Sequence, residues 1–236
     1  MRLKKRSKRC LPDALFDCKE EVAMLEHRTV SLAEQVFERL ENEILSAKYQ
    51  RGELLTEMRL VSDLGVSRTP VREALHRLEQ EHLIEISQKG ILVVGVTQKD
   101  LEDIFAIRLR IEGMASAEAA RRITEEELAE LRETLELQEF YVPKRDADRI
   151  KGMDSKFHRL IYRFSGSAVL NDTLLPLHKK VQKFRKASVE DSNRALLSAQ
   201  EHRAIYEAIA SHDPVLAEKC TTEHIANAAA HIKIKL

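Results

Sequence analysis

The sequence is poor in the residues that favour β-structure and tight turns. Aromatic residues make up 5% of its 236 residues, and it has seven glycines and five prolines, whereas charged residues make up 33%. This composition disfavours a β-sandwich and is typical of helices rich in Leu, Ala, Glu, Lys and Arg. The sequence therefore predicts a mainly α fold, and its length favours two modest domains.

Cysteines and long apolar segments are also scarce. Cys10, Cys18 and Cys220 show no C-x-x-C spacing, which disfavours a disulfide scaffold and indicates a reducing, cytoplasmic location. No apolar run approaches the roughly 18–20 residues of a membrane span. The first ten residues include six Lys/Arg but lead into no signal-type segment. Residues 1–29 are interpreted as a flexible basic tail, with a DNA-contacting arm as the alternative.

Net charge gives no indication of a nucleic-acid partner. The chain has 39 basic and 39 acidic residues, and residues 30–95 hold eight Lys/Arg against eleven Asp/Glu. Any DNA contact must therefore come from a local basic face.

Residues 30–95 show the pattern of a winged helix. A capping box of Ser31 and Glu34 starts the first helix, a second runs from about Thr56 to Leu64, and Ser67 caps a third after a turn at Gly65. The runs Leu83–Ile86 and Ile91–Val94 then predict a β-hairpin. Three helices followed by a hairpin wing make up the predicted first domain.

The rest of the chain, residues 96–236, shows helical periodicity and no strand signal. Thr97 with Asp100 and Thr124 at the start of T-E-E-E are capping signals, and Asp213-Pro214 combines an N-cap with an N1 proline. The sequence predicts a six-helix bundle, with helices at about 99–122, 124–140, 146–165, 169–187, 193–211 and 213–234.

The third helix carries a polar face opposite its apolar stripe of Val71, Ala74, Leu75 and Leu78. Helical spacing places four candidate DNA-contacting residues on this polar face: Arg68, Thr69, Arg72 and His76. Ser67 and the amides at the helix N-terminus suit a phosphate, and arginines can bind guanine O6 and N7 bidentately. The other interpretation of these arginines is an ordinary solvated helix surface.

The segment Leu64-Gly-Val-Ser-Arg-Thr-Pro-Val-Arg-Glu-Ala-Leu75 resembles the recognition motif of the GntR family of bacterial transcription regulators. The resemblance spans residues 31–95, and the remainder resembles the FadR-type (FCD) effector domain. It implies operator DNA as partner, a homodimer, and a wing tip at Gln88, Lys89 and Gly90 that enters the minor groove. Lys89 could instead be only an exposed hairpin tip.

Two residues of the winged-helix segment depart from the family pattern. His82 stands where the family usually has glycine, a position that indicates a positive φ. Met58 stands where several relatives have a phosphate-binding arginine, and the neighbouring Arg59 points elsewhere on the helix. One backbone contact to DNA is therefore in question.

The effector region contains a candidate metal site. Asp154 and His158 lie one helical turn apart, and together with His202 and His224 they match the D-x-x-F-H, E-H-x-x-I and late-helix histidine motifs of metal-holding FadR-type domains. One carboxylate and three imidazoles suit a divalent transition metal such as zinc or nickel. His178, His212 and His231 are interpreted as ordinary surface or core histidines.

The resemblance also implies a small organic acid as effector. Arg108 and Glu112 fit the family's R-x-x-L-E helix, with Ile111 in the Leu position. This makes both candidate effector-binding residues, with Arg108 as the carboxylate contact; an ordinary ion pair between Arg108 and an acidic neighbour is the alternative. A metal bound by Asp and three His could instead be purely structural, or could activate water in a hydrolase. The sequence contains no H-E-x-x-H motif and places no carboxylate beside these ligands as a general base, which favours a regulator over an enzyme.

Overall fold

The computed structural model describes residues 30–181 and 192–235. The predicted tail at 1–29, and residues 182–187 of the predicted fourth bundle helix, lie outside the described residues. In the described part of the chain, no helix is long and apolar enough to cross a membrane. The fold there is mainly helical, with a small sheet formed within residues 54–93, which confirms the predicted fold class.

The N-terminal region is a winged helix. Its helices and strands, in chain order, are α1 Leu32–Leu45, β1 Leu54–Leu55, α2 Glu57–Leu64, α3 Arg68–Gln80, β2 Ile84–Ser87 and β3 Gly90–Val93. The predicted apolar stripe of α3 is buried against α1 and the sheet. Burial of one face leaves Arg68, Thr69, Arg72 and His76 exposed on the opposite face.

The ends of the helices follow their capping residues, with two differences from expectation. Gly65 ends α2 in the left-handed conformation, at φ +68°, and His82 has φ +57°, which confirms the positive φ inferred for it. Ser67 is the N-cap of α3, but its hydroxyl makes no capping hydrogen bond. Glu34 does not complete the box with Ser31, because its carboxylate pairs with Arg77.

The wing is part of a three-stranded antiparallel sheet of order β1-β3-β2. The hairpin was predicted, and Gln88 and Lys89 form its turn between Ser87 and Gly90, which are opposite each other. Strand β1 was not predicted, since two residues are too few for an alternation signal. Gly90 has φ +127°, and a Cβ there would lie 2.9 Å from the carbonyl oxygen of Leu55 in β1. This glycine is therefore required by the sheet itself.

The remaining described residues form a six-helix bundle: α4 Gln98–Arg122, α5 Glu125–Tyr141, α6 Ala147–Phe164, α7 Ala168–Lys180, α8 Ser192–Ala210 and α9 Pro214–Lys235. Reciprocal capping boxes start α4 at Thr97 and α5 at Thr124. The large core joins all six helices, with Leu174 contributed by α7, and includes Phe157, Tyr162 and Ile205, all fully buried. Helices α4, α6, α8 and α9 all contribute to the candidate site.

Two lysines at the C-terminal end of α7 contact the winged helix. Lys179 Nζ lies 3.2 Å from a carboxylate oxygen of Glu41 in α1, and Glu41 is buried. Lys180 Nζ lies 2.8 Å from the carboxylate of Glu81 and donates to its carbonyl oxygen at 3.1 Å. Because Glu81 is the C-cap of α3, the bundle directly contacts the end of the candidate recognition helix.

Candidate metal centre and nucleic-acid interface

Three helices bring the four predicted metal ligands together in the bundle. Helix α6 provides Asp154 and His158, α8 provides His202 and α9 provides His224, and all four are buried. Ligand nitrogens of the three histidines lie within 4.8 Å of one another. The Nε2 atoms of His202 and His224 are 3.3 Å apart, and His202 Nε2 is 3.7 Å from Asp154 Oδ1.

Each of the three imidazoles has an oxygen acceptor at Nδ1. His158 Nδ1 is 2.8 Å from Glu112, His202 Nδ1 is 2.7 Å from Gln138 Oε1, and His224 Nδ1 is 2.7 Å from Glu201. Such partners fix the tautomer with the proton on Nδ1, which makes Nε2 the ligand nitrogen. The candidate ligands are thus three neutral imidazoles, each oriented by the hydrogen bond at its Nδ1, and one carboxylate. This set of ligands fits a divalent transition metal.

Glu201 belongs to a charged group behind His224. Arg194 donates two hydrogen bonds to its carboxylate, at 2.9 and 2.7 Å. Burial alone would raise the pKa of Glu201, but hydrogen bonds from His224 and Arg194 lower it to about 2. Glu201 is therefore a carboxylate at neutral pH and accepts the Nδ1 proton of His224.

Arg108 and Glu112 form a fully buried ion pair in α4. The guanidinium donates to both carboxylate oxygens, at 2.7 and 3.1 Å. Burial alone would raise the pKa of Glu112, but the charge of Arg108 and the hydrogen bond from His158 bring it well below its usual range. Arg108 Nη1 is buried and has no hydrogen-bond partner among the described residues.

His178, interpreted from sequence as an ordinary surface or core histidine, lies next to this pair as a core residue. It is fully buried, its ring centroid is 5.1 Å from that of His158, and its Nδ1 is 3.3 Å from the hydroxyl of Tyr162. The same hydroxyl donates to Glu112 at 2.6 Å. Glu112, His158 and His178 form a second group with metal-ligand spacing, but both oxygens of Glu112 already accept hydrogen bonds. We interpret this group as a polar network that supports His158.

A small cavity of about 30 Å³ opens beside the ligands. Its polar wall includes Asp154, His224, Gln138 and Arg194. Phe105, Ile150 and Ile232 are among its apolar lining residues. Arg108, the sequence-based candidate for a carboxylate contact, is not among the residues that line it. Sequence reasoning missed Gln138, although a glutamine in register with buried Leu131 and Leu135 was a visible signal.

The exposed face of α3 carries the predicted DNA contacts. Arg72 Nε donates to Glu57 at 2.8 Å, and Arg68 Nε lies 3.8 Å from the same carboxylate. Glu57, in the first turn of α2, was also missed from sequence. Met58 is exposed, and Arg59 pairs with Glu53 at 2.8 Å, as its helical position indicated. Lys89 is exposed at the wing tip.

Family models match both parts of this arrangement. The model "Bacterial regulatory proteins, gntR family" matches residues 32–94, and the model "FCD domain" matches residues 103–227, more than half of the chain. The chain belongs to the GntR family. This GntR-family protein is thus a DNA-binding transcription regulator and not an enzyme, and the alternative of a hydrolase is set aside.

Curated relatives and a solved structure are similar to this chain over most of its length. The HTH-type transcriptional regulator YdhC of Bacillus subtilis is 28% identical over 201 residues, which cover 84% of this chain and 90% of the relative. The HTH-type transcriptional repressor RspR of Escherichia coli is 26% identical over 198 residues, covering 84% and 87%. The structure of E. coli McbR/YncC aligns with a TM-score of 0.74 at 28% identity, covering 87% of this chain and 99% of that one.

Proposed function

We propose that this GntR-family regulator is a repressor whose operator affinity is controlled by a small carboxylate effector bound at a divalent metal in the bundle. Zinc or nickel would be held by Asp154, His158, His202 and His224. The observation that carries the proposal is that each histidine has its own oxygen acceptor at Nδ1. Such partners hold the proton on Nδ1 and make Nε2 the ligand atom of each ring, as metal-binding histidines require.

The metal would supply positive charge and coordination positions for a carboxylate oxygen. The protein's own contribution is orientation and exclusion of water: all four ligands are buried, and the cavity beside them is small. Among the described residues, this cavity offers space next to the ligands for a small carboxylate. The structure supports a regulatory site more than an isolated structural clasp, because a clasp needs no adjoining cavity.

DNA binding is assigned to α3 and the wing. Arg68 and Arg72 would contact base edges in the major groove, with Thr69 and His76 beside them and Ser67 at a phosphate. The unengaged hydroxyl of Ser67 supports the last assignment. Lys89 would contact the minor groove, with Gly90 keeping the wing turn in place.

The proposal includes the organisation of the chain. Residues 30–95 would bind the operator, and residues 96–236 would bind the effector and form a homodimer, acting in the cytoplasm. Domain coupling is supported by the contacts of Lys179 with Glu41 and of Lys180 with Glu81.

Elemental analysis of gently purified full-length protein tests the metal site. We expect one divalent transition metal per chain in the wild type and none after His202→Ala combined with His224→Ala. His212→Ala is the matched control, because its Nδ1 bonds the carbonyl of Ala120 outside the ligand group. Wild-type protein without stoichiometric metal, or full occupancy in the double variant, would refute the assignment.

A further inference from the structure

The side-chain amide of Gln138 is buried; within the described part of the chain, its oxygen has a hydrogen-bond partner, but its nitrogen does not. Its side chain is fully buried, and Oε1 lies 2.7 Å from His202 Nδ1. Nε2 is buried and has no hydrogen-bond partner among the described residues. A buried donor without an acceptor is costly, so such a group in a native fold calls for a functional explanation.

The direction of the amide follows from His202. Nε2 of His202 lies among the other ligands, close to Asp154 and His224, so Nδ1 carries the proton and needs an acceptor. The oxygen of Gln138 must therefore be on the His202 side, and the NH₂ group must be on the other side. Gln138 lines the same small cavity as Asp154 and His224.

We propose that Gln138 recognises the effector directly, by donating from Nε2 to an oxygen of a short monocarboxylate bound in this cavity. This inference rests on the proposed function, in which another oxygen of that acid binds the metal. One amide would then orient a metal ligand through its oxygen and bind the effector through its nitrogen.

The class of acid follows from the lining of the cavity. A volume of about 30 Å³ has room for about two waters, given that roughly 10–15 Å³ holds one. This size favours the smallest acids, and a longer chain would have to displace side chains that line the cavity. Phe105, Ile150 and Ile232 provide an apolar end. Arg194 is the cation among its described lining residues, and its charge is balanced by Glu201. A second carboxylate on the ligand would therefore meet no uncompensated positive charge, which favours a monocarboxylate with a short apolar end.

Two substitutions separate recognition from support of the metal ligand. Gln138→Glu keeps an acceptor for His202 but replaces the donor with a negative charge, so metal should stay bound while the acid is repelled. Gln138→Leu removes both groups, so metal affinity should also fall, by roughly 10–100-fold. Gln200→Glu, an exposed change two residues before His202 on α8, is the control for added charge.

The test is calorimetric titration of acetate, propionate and butyrate, with succinate for comparison, into full-length zinc-loaded protein. The absorption spectrum of cobalt-loaded protein reports the same event at the metal. We expect at least one monocarboxylate to bind wild type and Gln200→Glu equally and more tightly than succinate. In Gln138→Glu, its affinity should fall by at least about tenfold, the loss of one charge-assisted hydrogen bond, with zinc content unchanged.

Equal acid affinity in wild type and Gln138→Glu would overturn the inference, as would a wild type that binds none of the three monocarboxylates. Neither result would touch the metal assignment, which depends on elemental analysis. A wild type that holds no stoichiometric metal would instead overturn the proposed function itself.

Discussion

Arg108 shows how burial changes the meaning of a residue that the sequence singles out. Its spacing from Glu112 allowed either a carboxylate contact or an ordinary ion pair, and in the structure the two side chains are paired and almost completely buried. The pair also supports His158 through Glu112. Removing Arg108 therefore tests the ion pair at least as much as any contact with an effector.

We expect Arg108→Ala to lower the free energy of unfolding of the metal-free protein by about 3–5 kcal/mol, because it leaves the Glu112 carboxylate buried without its counter-ion. Urea denaturation followed by circular dichroism measures this. Arg110→Ala, at an exposed position of the same helix, should change stability by less than about 0.5 kcal/mol. Equal losses in the two variants would contradict the importance of the buried pair.

The arginines of α3 differ from Arg108 because they are exposed and share one carboxylate, Glu57. Arg68→Ala and Arg72→Ala should each weaken operator binding by about 1–3 kcal/mol and relax base preference. Lys89→Ala should weaken binding with a smaller change in base choice. Fluorescence anisotropy on operator variants distinguishes these outcomes, and unchanged affinity in both arginine variants would mean that another helix binds in the groove.

At the scale of elements, predictability followed the strength of local signals. Helix ends set by Thr97, Thr124 and Asp213 agree with the structure to within one residue, because capping is a local interaction. The four candidate metal ligands, which lie on three different helices, were identified by motif, and the structure places them close together. Strand β1 and the positions of Gln138 and His178 were not, because they depend on which helices and strands pack together.

Helix α7 links the ligand network to the DNA-binding region, with His178 beside His158 and Lys180 on the C-cap of α3. We expect Lys180→Met to reduce the coupling between effector and operator, typically about 1–3 kcal/mol in allosteric proteins, toward zero. Operator affinity measured with and without the bound acid gives the coupling. Lys99→Met is the control, because Lys99 pairs within its own helix. If the bound acid changed operator affinity in Lys180→Met as much as in the wild type, the Lys180–Glu81 contact would not be part of the coupling.

At the scale of the whole molecule, one winged helix typically covers one half-site, so we expect specific binding to use two copies of the chain. We expect analytical ultracentrifugation to show a dimer and the operator to be a short near-palindrome. The duplex should bind one dimer, and an isolated half-site should bind far more weakly. A monomer that binds a single half-site with full specificity would contradict this arrangement.

The end of α7 also sets a requirement on chain length. His178 lies in the interior, whereas the next two residues, Lys179 and Lys180, contact two different helices of the winged domain. Since successive residues of an α-helix are about 100° apart, one residue inserted after His178 would rotate both lysines away from Glu41 and Glu81. We therefore expect a one-residue insertion after His178 to weaken the effect of a bound acid on operator affinity, while the candidate metal site and the exposed face of α3 keep their own structure.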